Sequence, residues 1–494
     1  MSEQSKPEQE LSELLLHRRE KLKALKEKNI NPYPYLFKRT HTSKNILDDF
    51  EKMESEGIVV SVCGRIISLR SHGKSLFFHL LDGEGKIQVY VKSDVVGEDR
   101  YKLFELFDIG DFIGAKGKVF KTKTGEKSIR AEDFELLSKS LHPLPEKWHG
   151  LQDKELRYRQ RYLDLISNPE VKNTFILRTR ILSAIRKFLD DRGFLEVETP
   201  ILQPIYGGAF ARPFITHHNA LDMDLYLRIA DELYLKRLII GGYEKVYEVC
   251  KDFRNEGMDK NHNPEFSMLE LYQAYADYND IMELCEKLLN FISLEILKSS
   301  KIKFQEEEID LSPPWRRLSF WESIEKFTGA DLYKEDEKKI REFAQDLGIK
   351  AEASVRIGKV IESIFEEKVQ PNLIQPTFIL DYPEEMSPFA KKHRDKEGLT
   401  ERFEGFIAGF ELMNAFSELN DPLDQRERFE QQAKFKKMGD EEALELDEDF
   451  LKAMEYGMPP TGGVGIGLDR MVMLFTNSTS IRDVIFFPQM KKEV

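Results

Sequence analysis

Apolar residues recur at every second position in five short stretches between residues 58 and 140: IVVSVCGRII, SLFFHLLD, KIQVYV, DFIGAKGKVF and SIRAEDFELL, separated by turns that contain glycine. Alternation of this length predicts strands, and five of them within about 80 residues predict a small barrel of the OB type over 58–142. Ahead of it the spacing becomes helical. Leu11, Leu15, Leu22 and Leu25 form most of an apolar stripe over 11–28, His17, Arg18, Arg19, Lys21, Lys23, Lys26 and Lys28 fall largely on the other faces, and Asn31-Pro-Tyr-Pro ends the helix. Residues 1–57 thus read as a basic helix and lead-in. Behind the barrel, a stretch with proline and then dense charge reads as a linker over 143–160, with Arg157, Arg159 and Arg161 available to a polyanion or a second subunit.

Residues 161–494 read as a second domain. Phe175, Ile176, Ile181, Leu182, Ile185, Phe188 and Leu189 recur at helical spacing over 173–192, Gly193 ends that helix, and GFLEVETP reads as a strand that stops at Pro200. A short helix begins near Asp231. Val246, Tyr247, Val249 and Phe253 have strand composition, Gly257 and 258–263 form a turn, and Phe266, Met268, Leu269 and Leu271 resume an apolar pattern with Glu270 and Tyr272 on the opposite parity, so 246–272 reads as strand, loop and antiparallel return. Residues 300–385 read as a helical insertion without assignable chemistry, and 387–398 as a polar, mobile loop. Strand character returns over 401–420, and TGGVGIGLDRMVMLFT reads as a glycine-rich strand turning into a helix.

Composition narrows the class. A length of 494 residues predicts two to four domains, and 41% hydrophobic with 33% charged residues fits a soluble globular protein. No apolar run reaches the roughly 18–20 residues of a membrane span, and MSEQSKPEQE has no signal-peptide core. Cys63, Cys250 and Cys285 are scattered without a CxxC pair, which argues against a disulfide framework or a zinc site and for a reducing cytoplasm. The net charge of −14 means that a nucleic-acid partner has to be argued from local basic patches.

Candidate chemistry concentrates at 254–266. Arg254 supplies a planar fork for phosphate or carboxylate oxygens, Phe266 a flat face for a base, and Glu256 an acceptor for an exocyclic amine, an inventory that suits a nucleoside triphosphate. An ordinary hairpin with an Arg254–Glu256 ion pair accounts for the same residues. In the barrel, Phe77 offers a stacking face, Gln88 a base-edge reader and Arg70 charge, with Lys116, Lys118, Lys121, Lys123 and Lys127 along the later turn. Strand phenylalanines are also core residues, and alternation does not decide between Phe77 and Phe78.

FRNEG followed by HNPEF resembles motif 2 of the class II aminoacyl-tRNA synthetases. The helix, strand and proline near 173–200 resemble motif 1, and Gly465-Ile-Gly467-Leu-Asp469-Arg470, near 462–475, resembles motif 3. The likeness runs over nearly the whole chain and is closest to synthetases of the bacterial lysyl type. It implies an α+β chain: a five-stranded OB-fold anticodon domain, then a catalytic domain built on an antiparallel sheet flanked by helices. It also implies a cytoplasmic ligase that joins L-lysine to tRNA(Lys) through an adenylate made from ATP, acting as a homodimer through motif 1 and away from membranes. By the same resemblance Arg254 is catalytic, and Arg254, Glu256, His262, Phe266 and Arg470 hold ATP. Gly208, Glu232, Tyr272, Asn414, Phe416 and Glu418 hold lysine, Glu404 and Glu411 hold one to three Mg²⁺, and Arg70, Phe77 and Gln88 read the anticodon.

Plainer roles stand beside these. Glu232 is a good first-turn helix residue, Arg470 can form a surface ion pair beside Asp469, and Glu404 and Glu411, seven apart, can be surface charges or share a face of a helix or, less readily, of a bent strand. Asp231 and Tyr206 stand where proline is common in the family, and Met413 replaces a smaller residue beside the pocket. Competing functions are a synthetase-like regulator, against which Arg254, Glu404, Glu411 and Arg470 argue, and a protein-lysylating relative, which would lack the N-terminal barrel.

Overall fold

The computed structural model describes residues 5–145, 151–352, 355–437 and 445–492. The chain divides into two compact units, Met1–Leu151 and Gln152–Val494. Residues 146–150 of the linker expected over 143–160 lie outside the described part.

In the first unit β1 (Val59–His72), β2 (Ser75–Leu81), β3 (Lys86–Lys92), β4 (Phe112–Lys121) and β5 (Lys127–Ser138) close into a barrel in the order β1-β2-β3-β5-β4. β3 and β5 pair in parallel and the other neighbours antiparallel. Successive side chains point to opposite faces, so Val62, Leu76, Phe78, Leu80, Val89 and Ile129 fill the interior. Phe78 is fully buried. Phe77 points outward with its ring 4.7 Å from that of Tyr90, and the pairings Arg70↔Phe77, Phe77↔Tyr90 and His79↔Gln88 put Arg70, Phe77 and Gln88 on one outer face. Closure thus decides between the two phenylalanines. Phe78→Ala is expected to destabilise the barrel by about 3–5 kcal/mol, while Phe77→Ala leaves its unfolding midpoint nearly unchanged and weakens tRNA binding by about 1–3 kcal/mol. Calorimetry and tRNA titration of the full-length variants check both, and equal loss of stability in the two would show Phe77 to be core.

The leading helix, α1 (Ser5–Glu27), seats through polar groups together with the later part of the expected leucine stripe. Arg18 donates to the carbonyls of Ile109, Ser140 and His142, Lys21 Nζ lies 2.8 Å from Asp108, and Leu25 is buried one turn further on. Leu11, Leu14 and Leu16 stay exposed. The barrel rim offers carbonyls and Asp108, so donors at helical spacing join Leu25 in facing it.

The second unit is built on eight strands: β6 (Leu195–Glu196), β7 (Lys245–Phe253), β8 (Glu265–Ala274), β9 (Arg316–Ser319), β10 (Thr377–Leu380), β11 (Arg402–Ile407), β12 (Phe410–Ser417) and β13 (Thr461–Gly467), in the order β9-β10-β11-β12-β13-β8-β7-β6. The inner pairings are antiparallel, and the two edge pairings, β9 with β10 and β6 with β7, are parallel. Helices α2 (Pro169–Asp190) and α4 (Tyr278–Leu297) cover one face through Ile181, Phe188, Leu288 and Ile292 against Leu269, Leu271, Val464 and Ile466; between them in the chain comes the short α3 (Glu232–Ile240). On β8, Phe266 and Met268 share the parity of Glu270 and Tyr272, not that of Leu269 and Leu271, and all four turn away from this core.

Several expectations change. The strand expected up to Pro200 shrinks to β6, whose partners are only Val246 and Tyr247. The strand character of 401–420 resolves into a hairpin, with Ala408 and Gly409, at φ of 56° and 80°, making its tight turn. Residues 387–398 are pinned rather than loose. Phe389 and Ala390 are buried, and Ala390 bridges to Glu418 and Lys392 to Thr400. The insertion supplies strands β9 and β10 as well as helices such as α5 (Ile357–Lys368). Arg161 is buried against Asp164 and the carbonyls of Arg482, Ile485 and Phe486, Arg157 pairs with Asp164, and Arg159 with Glu155, so these arginines are spent inside the chain. Met413 lies in the core over Gly405, not beside a pocket. Among the described residues no helix is long and apolar enough to cross a membrane.

Candidate active site

The polar face of the central strands opens into a cleft of about 1090 Å³. Its deep end is acidic. Glu232 opens α3, Glu418 follows the last residue of β12, and Glu270 and Tyr272 project from β8. All are buried, and Tyr272 Oη donates to Glu270 at 3.2 Å. Lys236, one turn beyond Glu232, sits between Glu232 and Glu418 with its Nζ 2.5 Å from a carboxylate oxygen of each. Both Glu418 oxygens are buried, and the Lys236 ammonium is the cation that faces them. Burial, reinforced by Glu232 and opposed by Lys236, pushes the Glu418 carboxyl up to about 8. Burial and the charge of Asp252 raise Glu270 well above the usual range. Burial works against the Lys236 ammonium, yet Glu232 and Glu418 hold it above the ordinary lysine value. Glu232 and Glu418 share one ammonium and Glu270 adds a third carboxyl beside them, an acid excess that as buried charge is stable only with further cationic donors.

Glycines shape this end. A Cβ on Gly463 would lie 2.2 Å from Glu418 Oε1 and 2.5 Å from the Tyr272 ring, and one on Gly465 would lie 2.3 Å from Glu270 Oε1. The glycines of the motif 3 strand therefore make room for the acidic floor. Gly208 has a φ of 86°, and a Cβ there would approach that of Glu232 to 3.2 Å, so its backbone lies beside the Glu232 carboxylate arm at the cleft mouth.

The other end carries the arginines. The Arg254 guanidinium lies 5.1 Å over the Phe266 ring, and its Nε donates to the Ile229 carbonyl; no ion pair to Glu256 forms, and Glu256 lies on the exposed loop that lines the cleft. Arg470 begins α6 (Leu468–Thr476). It donates to the Glu411 carbonyl at 2.6 Å and to His262 Nε2 at 3.0 Å, which leaves the His262 proton on Nδ1, toward Asp259. Asp469 is turned the other way, to Arg178 and the Ser267 amide, so Arg470 is no partner of its neighbour.

Glu404 and Glu411 reach one face from adjacent strands. A bulge between Gly405 and Phe406 shifts the β11–β12 register, which brings Glu411 to the side already occupied by Glu404, Asn414 and Phe416. The spacing of seven therefore reflects a bulged hairpin, neither a helix face nor one bent strand. Burial and the nearby Glu411, against the pull of Arg402, push Glu404 up to about 7. Arg402 pairs with Glu404 and donates to Asn414 Oδ1 at 3.2 Å.

Pattern reading missed Lys236, Glu270 as part of the floor, Arg402, and the contribution of the insertion, whose Arg356, Lys359 and Glu362 line the cleft. The four-residue spacing of Glu232 and Lys236 carried a signal for the first. The others depend on which strands become neighbours.

A sequence profile for class II tRNA synthetases (D, K and N) matches residues 153–491, and one for the OB-fold nucleic acid binding domain matches residues 60–137. The chain belongs to the class II tRNA synthetases. Relatives of this synthetase include the lysine–tRNA ligases of Thermoanaerobacter pseudethanolicus, 58% identical over 98% of this chain and 97% of the relative, and of Pelotomaculum thermopropionicum, 57% identical over 99% and 97%. The lysine–tRNA ligase of Bacillus subtilis is 52% identical over the full length of both chains. The synthetase barrel carries Gln88 with its amide tied at both ends, Nε2 donating to Glu126 and Oε1 accepting from Ser128, on the outer face that holds Phe77 and Arg70.

Proposed function

We propose that this synthetase is a lysine–tRNA ligase. A lysine carboxylate oxygen attacks the α-phosphorus of ATP, pyrophosphate leaves, and the lysyl-adenylate then acylates the terminal ribose of tRNA(Lys) with release of AMP. The arrangement that carries the reading is the buried acidic floor, in which Glu418 and Glu232 both face the Lys236 ammonium and Glu270 and Tyr272 lie beside them. A dication whose two ammonium groups are separated by an aliphatic stem matches it. Glu418 and Tyr272 take the ε-ammonium, Glu232 and the Gly208 backbone the α-ammonium, Asn414 the carboxylate, and Phe416 covers the stem. Uncharged analogues leave buried carboxylates unpaired and are rejected. Arg254 bridges the lysine carboxylate and the α-phosphate, Glu256 and His262 hold the nucleotide, and Phe266 and Arg470 enclose adenine, which requires Arg254 to leave the Phe266 ring. Positioning and charge neutralisation carry such a displacement, with no protein nucleophile.

Glu404 and Glu411 converge on one face as hard oxygen donors, a set suited to Mg²⁺ with triphosphate oxygens. The ion supplies neutralisation of the phosphate charge when bound. Because Glu404 holds its proton up to about pH 7, protons compete with the metal below that pH. The Mg²⁺ concentration for half-maximal pyrophosphate exchange is expected to rise roughly tenfold from pH 8 to pH 6, as one competing proton requires, and Glu404→Gln should remove the dependence. An unchanged midpoint in the wild type would refute it.

Exposed Ile176, Leu195, Ile201 and Leu202 around motif 1 support a homodimer through that region. The outer face with Arg70, Phe77 and Gln88 supports anticodon reading, and reduced cysteines in the sequence support a cytoplasmic enzyme. Pyrophosphate exchange measured with each of the twenty amino acids tests the assignment: lysine alone should support it at the wild-type rate, and exchange with another amino acid but not lysine would overturn the substrate.

A further inference from the structure

Behind the cleft wall lies a cluster that the proposed reaction does not use. Asp231, at the start of α3, and Cys250 and Asp252, on β7, are all buried, and one ligand atom from each lies within 4.8 Å of the other two. Cys250 Sγ is 4.0 Å from Asp252 Oδ2 and 3.7 Å from the Met268 carbonyl. None of the three lines the cleft.

The cluster is rich in acid and short of direct donors, with the Arg228 guanidinium in ion-pair range of Asp252 alone among its members. Both Asp231 oxygens and Asp252 Oδ1 are buried without a hydrogen-bond partner among the described residues. Arg228 reaches Asp252 only at 3.3 Å, while its other arm serves Glu248 at 2.8 Å. Glu270 adds its charge from β8 to both Asp231 and Cys250. Buried carboxylates are kept when they are paired or bind a metal, and Arg228 does not reach Asp231.

We propose that Asp231, Cys250 and Asp252 form a site for a zinc-class divalent cation. A thiolate with two carboxylates is a borderline donor set, suited to Zn²⁺ and unsuited to Mg²⁺ or Ca²⁺, which take oxygen alone. Bond lengths of about 2.0–2.3 Å place tetrahedral ligands roughly 3.3–3.8 Å apart, so the observed separations need only a small inward movement. On binding, the Cys250 thiol proton and any proton held by the Asp231 and Asp252 carboxyls pass to solvent, and the ion takes their place. A fourth position is left to water or Glu270. The sequence argued against zinc because no CxxC pair exists; the fold assembles the site from a loop and a strand about twenty residues apart. Asp231 precedes Glu232 and Asp252 stands two residues before Arg254, so the ion would tie the start of α3 to the end of β7.

The test uses full-length protein purified from cells grown with Zn²⁺ or with Co²⁺, so that the buried site loads during folding. Elemental analysis should find about one equivalent of Zn²⁺ per chain after dialysis against Mg²⁺, and the cobalt form should show a thiolate-to-metal charge-transfer band in the near ultraviolet. Cys250→Ser should abolish the band, and Asp231→Asn should lower retained metal at least about tenfold, while Cys63→Ser and Cys285→Ser keep both. Zn²⁺ should raise the unfolding temperature of the wild type and not of Asp231→Asn, a comparison that holds even if Cys250→Ser fails to fold. Absence of stoichiometric metal, or metal and band that survive both variants, would overturn the site and leave a cluster neutralised by protons.

Discussion

Alanine at Arg254 is expected to slow lysine-dependent ATP–pyrophosphate exchange by at least about 10²-fold, in line with the ~2.7–4 kcal/mol lost when one transition-state donor is removed. The arginine leaves the end of β7, its Nε is fixed on the Ile229 carbonyl, and its guanidinium rests on Phe266 inside the cleft. On the proposed reading this side chain faces a carboxylate and a phosphate together, two anions that otherwise repel. Lysine should not restore the rate, because a point charge cannot hold two oxygens with a planar fork. The loss should appear mainly in the maximal exchange rate, with modest change in the KM for lysine, since the acidic floor is untouched. Exchange near the wild-type rate in Arg254→Ala would sink the assignment of this residue.

Glu418→Gln should reduce kcat/KM for lysine by roughly 10²–10⁴-fold, the range for losing one partner of a buried charge pair in a site that recognises its substrate by hydrogen bonds. The amide keeps the shape beside Gly463 and Tyr272 and removes the charge. Most of the loss should lie in KM. Lys236 retains Glu232 as partner, so the fold should survive. The sign of the pH effect supports a separate check. Burial raises the folded-state pKa of Glu418 to about 8, above the unfolded value of about 4.3, so the folded protein holds this proton while the unfolded chain has lost it. Stability contributed by the group is present below the unfolded pKa and falls as pH rises toward 8. The glutamine variant lacks that fall and should be at least as stable as the wild type above pH 8 in the absence of lysine. A variant that charges lysine normally, or that unfolds throughout, would contradict the role.

Much of this protein was legible before any coordinates. Alternation of period two marked every barrel strand, and the residues of motifs 2 and 3 pointed to one cleft, because these signals are local: each rests on side chains a few positions apart. Gly463 and Gly465 show the limit. In the sequence they read as part of a glycine-rich strand, and in the fold they clear space for Glu418, Tyr272 and Glu270, which come from outside that strand.

By itself, then, the chain determined its two-part organisation, its family and a core set of charged and aromatic cleft residues, since apolar periodicity and short motifs encode local backbone states directly. Tertiary structure alone decided that Phe78 is core and Phe77 surface, that a bulge aligns Glu411 with Glu404, that Lys236 lies between two carboxylates, and that Asp231 meets Cys250 and Asp252. Each of these depends on strand register and on which elements become neighbours, and a one-residue shift of register turns every side chain of a strand to its other face.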